Sequence, residues 1–315
     1  MEYLNLGNTG IKVSRLCFGT LTLSPLQKNL GVGAGAKLLI EALDSGINFF
    51  DTAELYDNYD ILAQAFENRP EAVIATKCYA YDTKTAQNSL DKALTGLKRE
   101  NIDLFLLHEQ ESALTLKGHR EAIDFFLKKK QEGVIKAFGI STHYVAGVTA
   151  AIEFGGIDVI HAICNKNGFG IVDGTREEME AAILNAHHKG IGVYGMKALG
   201  GGHLIGQRED AMNYVLNLPG MSAVAVGMQN TDELDYNVAL FEGRNPSAEQ
   251  EAKTAQQKRK LFIHHDWCTH CGTCVARCQQ GALSIKDGKV TVEENLCVLC
   301  SYCAAGCKEL AIKVI

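Results

Sequence analysis

No apolar run in this 315-residue chain is long enough to span a bilayer. Met1-Glu-Tyr-Leu lacks the charged start and apolar centre of a signal peptide. The expected location is therefore the cytoplasm, with no membrane partner. Basic charge is not in excess: a formal net charge of -6 and a pI near 5.9 give no electrostatic case for nucleic acid. No Gly-x-Gly-x-x-Gly follows an early strand, so a Rossmann-type dinucleotide site is not indicated. What is present is 46% hydrophobic and 22% charged residues, the composition of a soluble globular protein. The length suits one barrel of about 250 residues plus something small.

Three apolar stretches run into ionisable residues. Ile47-Asn-Phe-Phe ends at Asp51, and Tyr56 follows five residues later. Val73-Ile-Ala-Thr ends at Lys77, and Leu104-Phe-Leu-Leu ends at His108. Each reads as a buried parallel strand. A carboxylate at the end of such a strand is costly unless a cation meets it. Successive strands ending in ionisable groups are how a parallel barrel builds a site at its C-terminal face.

The wider pattern fits that reading. Tyr3–Leu6 and Ile11–Val13 flank Gly-Asn-Thr-Gly, a hairpin signal. Strand and helix patterns then alternate from Arg15 to Phe241 and are expected to close into a (β/α)8 TIM barrel. Residues 1–245 form the expected barrel. Residues 246–262, charged and glutamine-rich, read as a connecting segment, with a solvated last barrel helix as the alternative.

These residues resemble the aldo/keto reductase family. The resemblance makes Asp51, Tyr56, Lys77 and His108 a catalytic tetrad, with a small-molecule carbonyl compound as substrate. Tyr56 would give a proton to a carbonyl oxygen while His108 hydrogen-bonds it. Lys77 would lower the phenol pKa, and Asp51 would hold the lysine charged. The resemblance also implies a nicotinamide dinucleotide across the late strand ends. Its expected contacts here are Gly19, Thr20, Ser141, Asn165, Met196, Lys197, Leu199, Gly227, Gln229 and Asn237. Glycines would allow close backbone approach, and the helix start at Thr231–Glu233 would offer N–H groups to a phosphate. The loop Gly227–Glu233 has no Lys or Arg and two carboxylates, which favours NAD(H) over NADP(H). A flavin is the alternative cofactor, its phosphate on Leu199–Gly202 and Gly227–Asn230.

Residues 263–315 read as a second, small α+β domain. Cys268, Cys271, Cys274 and Cys278 are followed by Cys297, Cys300, Cys303 and Cys307, twice spaced C-x2-C-x2-C-x3-C. This is the spacing of bacterial two-cluster ferredoxins, in which the fourth cysteine ligates the other cluster. The resemblance therefore implies one [4Fe–4S] cluster on Cys268, Cys271, Cys274 and Cys307. The other falls to Cys297, Cys300, Cys303 and Cys278. Gln279 and Lys308 stand where a proline usually follows, which removes no ligand. Zinc sites use paired C-x2-C knuckles instead. Cys17, Cys78 and Cys164 read as small buried hydrophobes, with Cys78 the one to watch for thiolate reactivity.

The expected function is an iron–sulfur oxidoreductase of the aldo/keto reductase type, reducing a carbonyl or oxidising an alcohol while the clusters relay electrons. One alternative is a cluster-driven enzyme using a flavin or one-electron chemistry. Another is a non-catalytic electron-transfer protein. An external redox protein is the expected macromolecular partner.

Overall fold

The computed structural model describes residues 1–255, 259–300 and 302–315. Residues 256–258 of the expected connecting segment lie outside this set. Strands β1 (Tyr3–Asn5) and β2 (Lys12–Ser14) form the antiparallel hairpin. Leu6 and Val13 beside it plug the bottom of the barrel interior.

Eight parallel strands follow: β3 (Leu16–Gly19), β4 (Phe49–Asp51), β5 (Val73–Cys78), β6 (Ile102–Leu107), β7 (Ile135–Thr142), β8 (Val159–Ile163), β9 (Gly192–Met196) and β10 (Ala223–Val226). They close when β10 pairs with β3. Alternation along each strand decides what meets what. Phe18, Phe50, Ile74, Phe105 and Phe138 face the surrounding helices. Cys17, Phe49, Ala75, Leu104, Ala137, Val159 and Tyr194 fill the interior. Two residues beyond that interior layer the same parity places Asp51, Lys77, His161 and Met196 at the top of the barrel, and Ser141 stands four residues beyond Ala137. On β6, Leu106 also faces inward, and His108 follows it two residues on.

The outer helices start where the sequence offers caps. Asp82 with Thr85 and Thr175 with Glu178 each make a capping box. The helix Arg208–Leu216 is weakly marked in the sequence. Its apolar face is only Ala211, Met212 and Val215, and an Arg-Glu-Asp start masks its period.

The connecting segment carries a helix, Ala248–Ala255. Strand β11 (Leu261–Ile263) then pairs antiparallel with β14 (Ile312–Val314), so the small module takes its first strand from the end of that segment. Strands β12 (Leu283–Lys286) and β13 (Lys289–Val292) make its hairpin across Asp287-Gly288, both at positive φ as a type I′ turn requires. Among the described residues the module's hydrophobic core is eight buried residues, two of them cysteines. So small a core does not hold a fold by itself.

The module sits on the top of the barrel. Leu310 belongs to the barrel's outer core. Strand β14 runs against Gly200–Gly202, and a Cβ at Gly202 would collide with the Val314 carbonyl. His203 Nε2 lies 3.2 Å from the Ile312 carbonyl oxygen. Among the described residues no helix is long and apolar enough to cross a membrane.

Candidate active site

The centre of the barrel top is Asp51. Its Oδ2 accepts from the Lys77 ammonium at 2.7 Å, which also donates to the Thr52 carbonyl at 2.7 Å. Its Oδ1 accepts from the Tyr194 hydroxyl at 2.8 Å. His161 Nε2 stands 3.8 Å from the same oxygen, its ring stacked 3.9 Å from that of Tyr194. Sequence reasoning missed Tyr194 and His161. Both lie inside apolar strands, and only the interior parity marks them.

Tyr56 follows β4 in a single 3-10 turn, Glu54–Tyr56. Its ring lies 5.1 Å from Lys77 Nζ and 6.1 Å, edge-on, from the His108 imidazole. The four sequence-predicted residues are therefore together. Their electrostatics differ from the expectation. Burial pushes the Tyr56 phenol well above its ordinary value, and Asp51 and Glu109 raise it further. Burial and the Lys77 charge hold His108 well below the ordinary imidazole range. Tyr56 is thus a neutral phenol and His108 a neutral imidazole around pH 7. His108 Nδ1 is buried with no hydrogen-bond partner among the described residues.

Two cavities meet at this centre. The outer one, about 360 Å³, has Tyr56, Lys77, His108, Ser141 and His143 from the barrel. Asp266, Trp267, Lys308 and Glu309 of the small module form its other wall. The inner one, about 210 Å³, contains Tyr56, Asp51, Gly19, Met196, Lys197, Leu199, Gly227, Gln229, Asn237 and Lys313.

Several expected cofactor contacts have other duties. Thr20 donates to the Asp51 carbonyl at 3.0 Å, and Asn165 bonds Phe169 through both ends of its amide at 2.9 Å. Neither lines these cavities. Ser141 Oγ accepts from the Glu109 N–H at 2.9 Å.

The expected phosphate positions are taken by the chain itself. Gly201 and Gly202 seat β14, with Lys313 Cδ 3.3 Å from a Cβ placed on Gly201. A Cβ on Gly227 would strike the Thr22 side chain. At the helix Thr231–Phe241, Asn230 Oδ1 accepts from the Glu233 N–H, and Glu233 Oε2 accepts from the Gln229 N–H, each at 2.9 Å. Two of the N–H groups at the helix start, those of Gln229 and Glu233, are thus already bonded within the chain, and β14 lies against Gly201 and Gly202. The charge argument for NAD also lapses. Asp232 lies 3.9 Å from Lys253, and Glu233 lies 3.3 Å from Arg259, cations that the connecting segment brings in.

The eight clustered cysteines divide as the interleaved pattern requires. Cys268, Cys271, Cys274 and Cys307 line one cavity of about 500 Å³. Cys278, Cys297, Cys300 and Cys303 line another, narrower one. Four thiols around one void is the donor set a cubane cluster needs. The other three cysteines are buried, and burial pushes Cys78 up to about 12, which removes the thiolate reactivity watched for there.

Residues 15–212 match the aldo/keto reductase family, and residues 261–284 match a 4Fe-4S binding domain. An uncharacterized oxidoreductase, YqkF, of Bacillus subtilis is 26% identical over 84% of this chain and 98% of its own length. An L-galactose dehydrogenase of Arabidopsis thaliana is 25% identical over 76% of this chain and 88% of its own. Among solved structures, an aldo-keto reductase from Pseudomonas aeruginosa superposes with a TM-score of 0.66 at 27% identity. That likeness covers 76% of this chain and 94% of that one.

Proposed function

The chain belongs to the aldo/keto reductase family and is an oxidoreductase, and from that premise we propose that it reduces a small-molecule carbonyl, or oxidises the alcohol, at Tyr56. The observation that carries this reading is a buried phenol and a neutral imidazole over one ion pair, Asp51 Oδ2 to Lys77 Nζ 2.7 Å. Reduction takes two electrons and two protons. Tyr56 gives the proton that ends on oxygen, and His108 donates a hydrogen bond to the carbonyl oxygen. The hydrogen that ends on carbon comes from the reductant as hydride or, when the clusters deliver the two electrons, as a proton from solvent. Asp51, held by Lys77 and Tyr194, fixes the lysine under the phenol ring. Lys77 is a positioning residue whose charge faces oxyanion character developing above it.

Two [4Fe–4S] clusters relay electrons in this reading, one on Cys268, Cys271, Cys274 and Cys307, the other on Cys278, Cys297, Cys300 and Cys303. The shared cavity wall supports a link between cluster and barrel chemistry. Lys308 and Glu309 line both the Cys268 cavity and the cavity holding Tyr56. A nicotinamide dinucleotide, when bound, would supply hydride to the carbonyl carbon. An external redox protein and a cytoplasmic setting complete the proposal.

The test is an anaerobic assay of the iron-loaded protein on a set of aldehydes and ketones. One arm uses NADH and NADPH, the other a low-potential one-electron donor. Carbonyl reduction in either arm that is lost in Tyr56→Phe is the expected result. No reduction in both arms overturns the reading.

A further inference from the structure

Lys313 belongs to the small module, yet its side chain ends in the barrel. Alternation along β14 does this: Ile312 lines the Cys268 cavity, while Lys313 faces the inner cavity that holds Tyr56. The residue is 4% exposed, with its ammonium 5.5 Å from the Trp267 ring centroid. Lys197 enters the same cavity from the end of β9, its backbone in the left-handed region at φ 60°. Its ammonium meets the His143 imidazole at 2.9 Å.

Both side-chain carboxylates among the described residues lining that cavity are already paired with other cations. Asp51 is engaged by Lys77 at 2.7 Å and Glu233 by Arg259 at 3.3 Å. Burial holds Lys197 down to about 8, and burial with the Lys197 charge holds Lys313 well below the lysine range. Two desolvated ammonium groups lining one cavity disfavour each other's charge in the empty site. An anion between them would be met by charge-assisted hydrogen bonds from both sides. The outer cavity sets Glu109, Glu111, Asp266 and Glu309 against Lys77, Lys197 and Lys308, whereas the inner one has Lys197, Lys313, Arg208 and Arg259 against Asp51 and Glu233, so an anionic end is better matched on the inner side.

We propose that Lys197 and Lys313 form a subsite, shared by the two modules, for the carboxylate or phosphate of the small molecule whose carbonyl meets Tyr56. This rests on the carbonyl reading above and narrows its substrate class to anionic carbonyl compounds. The barrel site is complete only with the module seated on it.

Calorimetric titration of the anaerobic, iron-loaded protein reads this without turnover. The probes are succinate, inorganic phosphate and, as the neutral control, butane-1,4-diol. Saturable binding of an anion and none of the diol is expected, weakened about tenfold or more in Lys313→Met and in Lys197→Met. Tighter succinate identifies a carboxylate ligand, and tighter phosphate a phosphorylated one. Lys313→Gln, which keeps a polar head, replaces the methionine variant if that one loses iron. No saturable anion binding by the native chain, or unchanged binding in both variants, overturns the subsite. Unchanged binding with a shifted cluster potential makes Lys313 a counter-charge of the Cys268 cluster, and also overturns it. In turnover, the ratio of kcat/KM for succinate semialdehyde to that for butanal should fall about tenfold in Lys313→Met. Anion binding with no aldehyde reduced at all would sink the carbonyl reading and leave the subsite standing.

Discussion

Trp267 and Tyr56 are walls of the same cavity, although one belongs to the cysteine module and the other to the barrel. Trp267 immediately precedes Cys268, so one residue separates a cluster ligand from the space where a carbonyl would react. The two modules do not merely share a chain.

Tyr56→Phe removes the transferable proton and little else. Carbonyl turnover should fall by about 10²–10⁴-fold while iron content and circular dichroism stay as they are. Turnover within a factor of a few of the native rate would show that Tyr56 is not the acid.

Lys77→Met strips the partner from a carboxylate that is 3% exposed. Breaking a buried pair from one side costs about 3–5 kcal/mol, so the urea midpoint should drop markedly. The double variant Asp51→Asn, Lys77→Met should recover part of that loss. Equal stability of single and double variants would mean the pair is not coupled.

The pH dependence of reduction follows from the two directions of shift. Tyr56 is raised above 10.0, so it stays a proton donor into alkali, and His108 is lowered below 6.5, so it stays neutral through weak acid. For a neutral aldehyde such as butanal, which does not engage Lys197 and Lys313, a kcat/KM profile flat between those values is expected. An alkaline limb centred below 10.0 would mean the phenol is activated by Lys77 after all.

Stability has its own pH window. Burial lowers His161, His203 and His264 each to about 4. The unfolded chain then binds more protons than the folded one between the ordinary 6.5 and about 4. Stability is complete above 6.5 and is lost as pH falls towards 4. Urea midpoints measured down that range should decline, and less steeply in His161→Gln. A midpoint that rises on acidification would contradict the assignment.

The barrel and the tetrad were legible because apolar strands end in chemistry-bearing residues at one parity. The cysteine grouping was legible from spacing. Tyr194 and His161 were not, since a polar residue within an apolar run signals nothing until the interior face is known. Charge was read along one loop, Gly227–Glu233, whereas the fold brings Lys253 and Arg259 to that loop from the connecting segment. The glycines at 200–202 signalled close approach correctly. What approaches is the chain's own β14. Lys313 gave no sequence signal for the barrel, because its role depends on how the module docks.

The cysteine grouping predicts which variants share a defect. The iron-loaded chain should hold about eight irons. Cys268→Ser and Cys307→Ser should damage one cluster, and Cys278→Ser and Cys297→Ser the other, as read by electron paramagnetic resonance. Cys278→Ser grouping with Cys268→Ser would mean that the fourth cysteines do not cross over.

The central claim is that electrons stored in the module reach a carbonyl at Tyr56. The direct measurement reduces both clusters anaerobically, removes excess reductant, and mixes the chain with succinate semialdehyde, glyceraldehyde or butanal. Two reduced clusters hold the two electrons of one carbonyl reduction. The account predicts cluster reoxidation seen in the visible absorbance, with about one alcohol formed per chain, and neither in Tyr56→Phe. Clusters that stay reduced with every aldehyde, while NADH drives aldehyde reduction by the same chain, would contradict it.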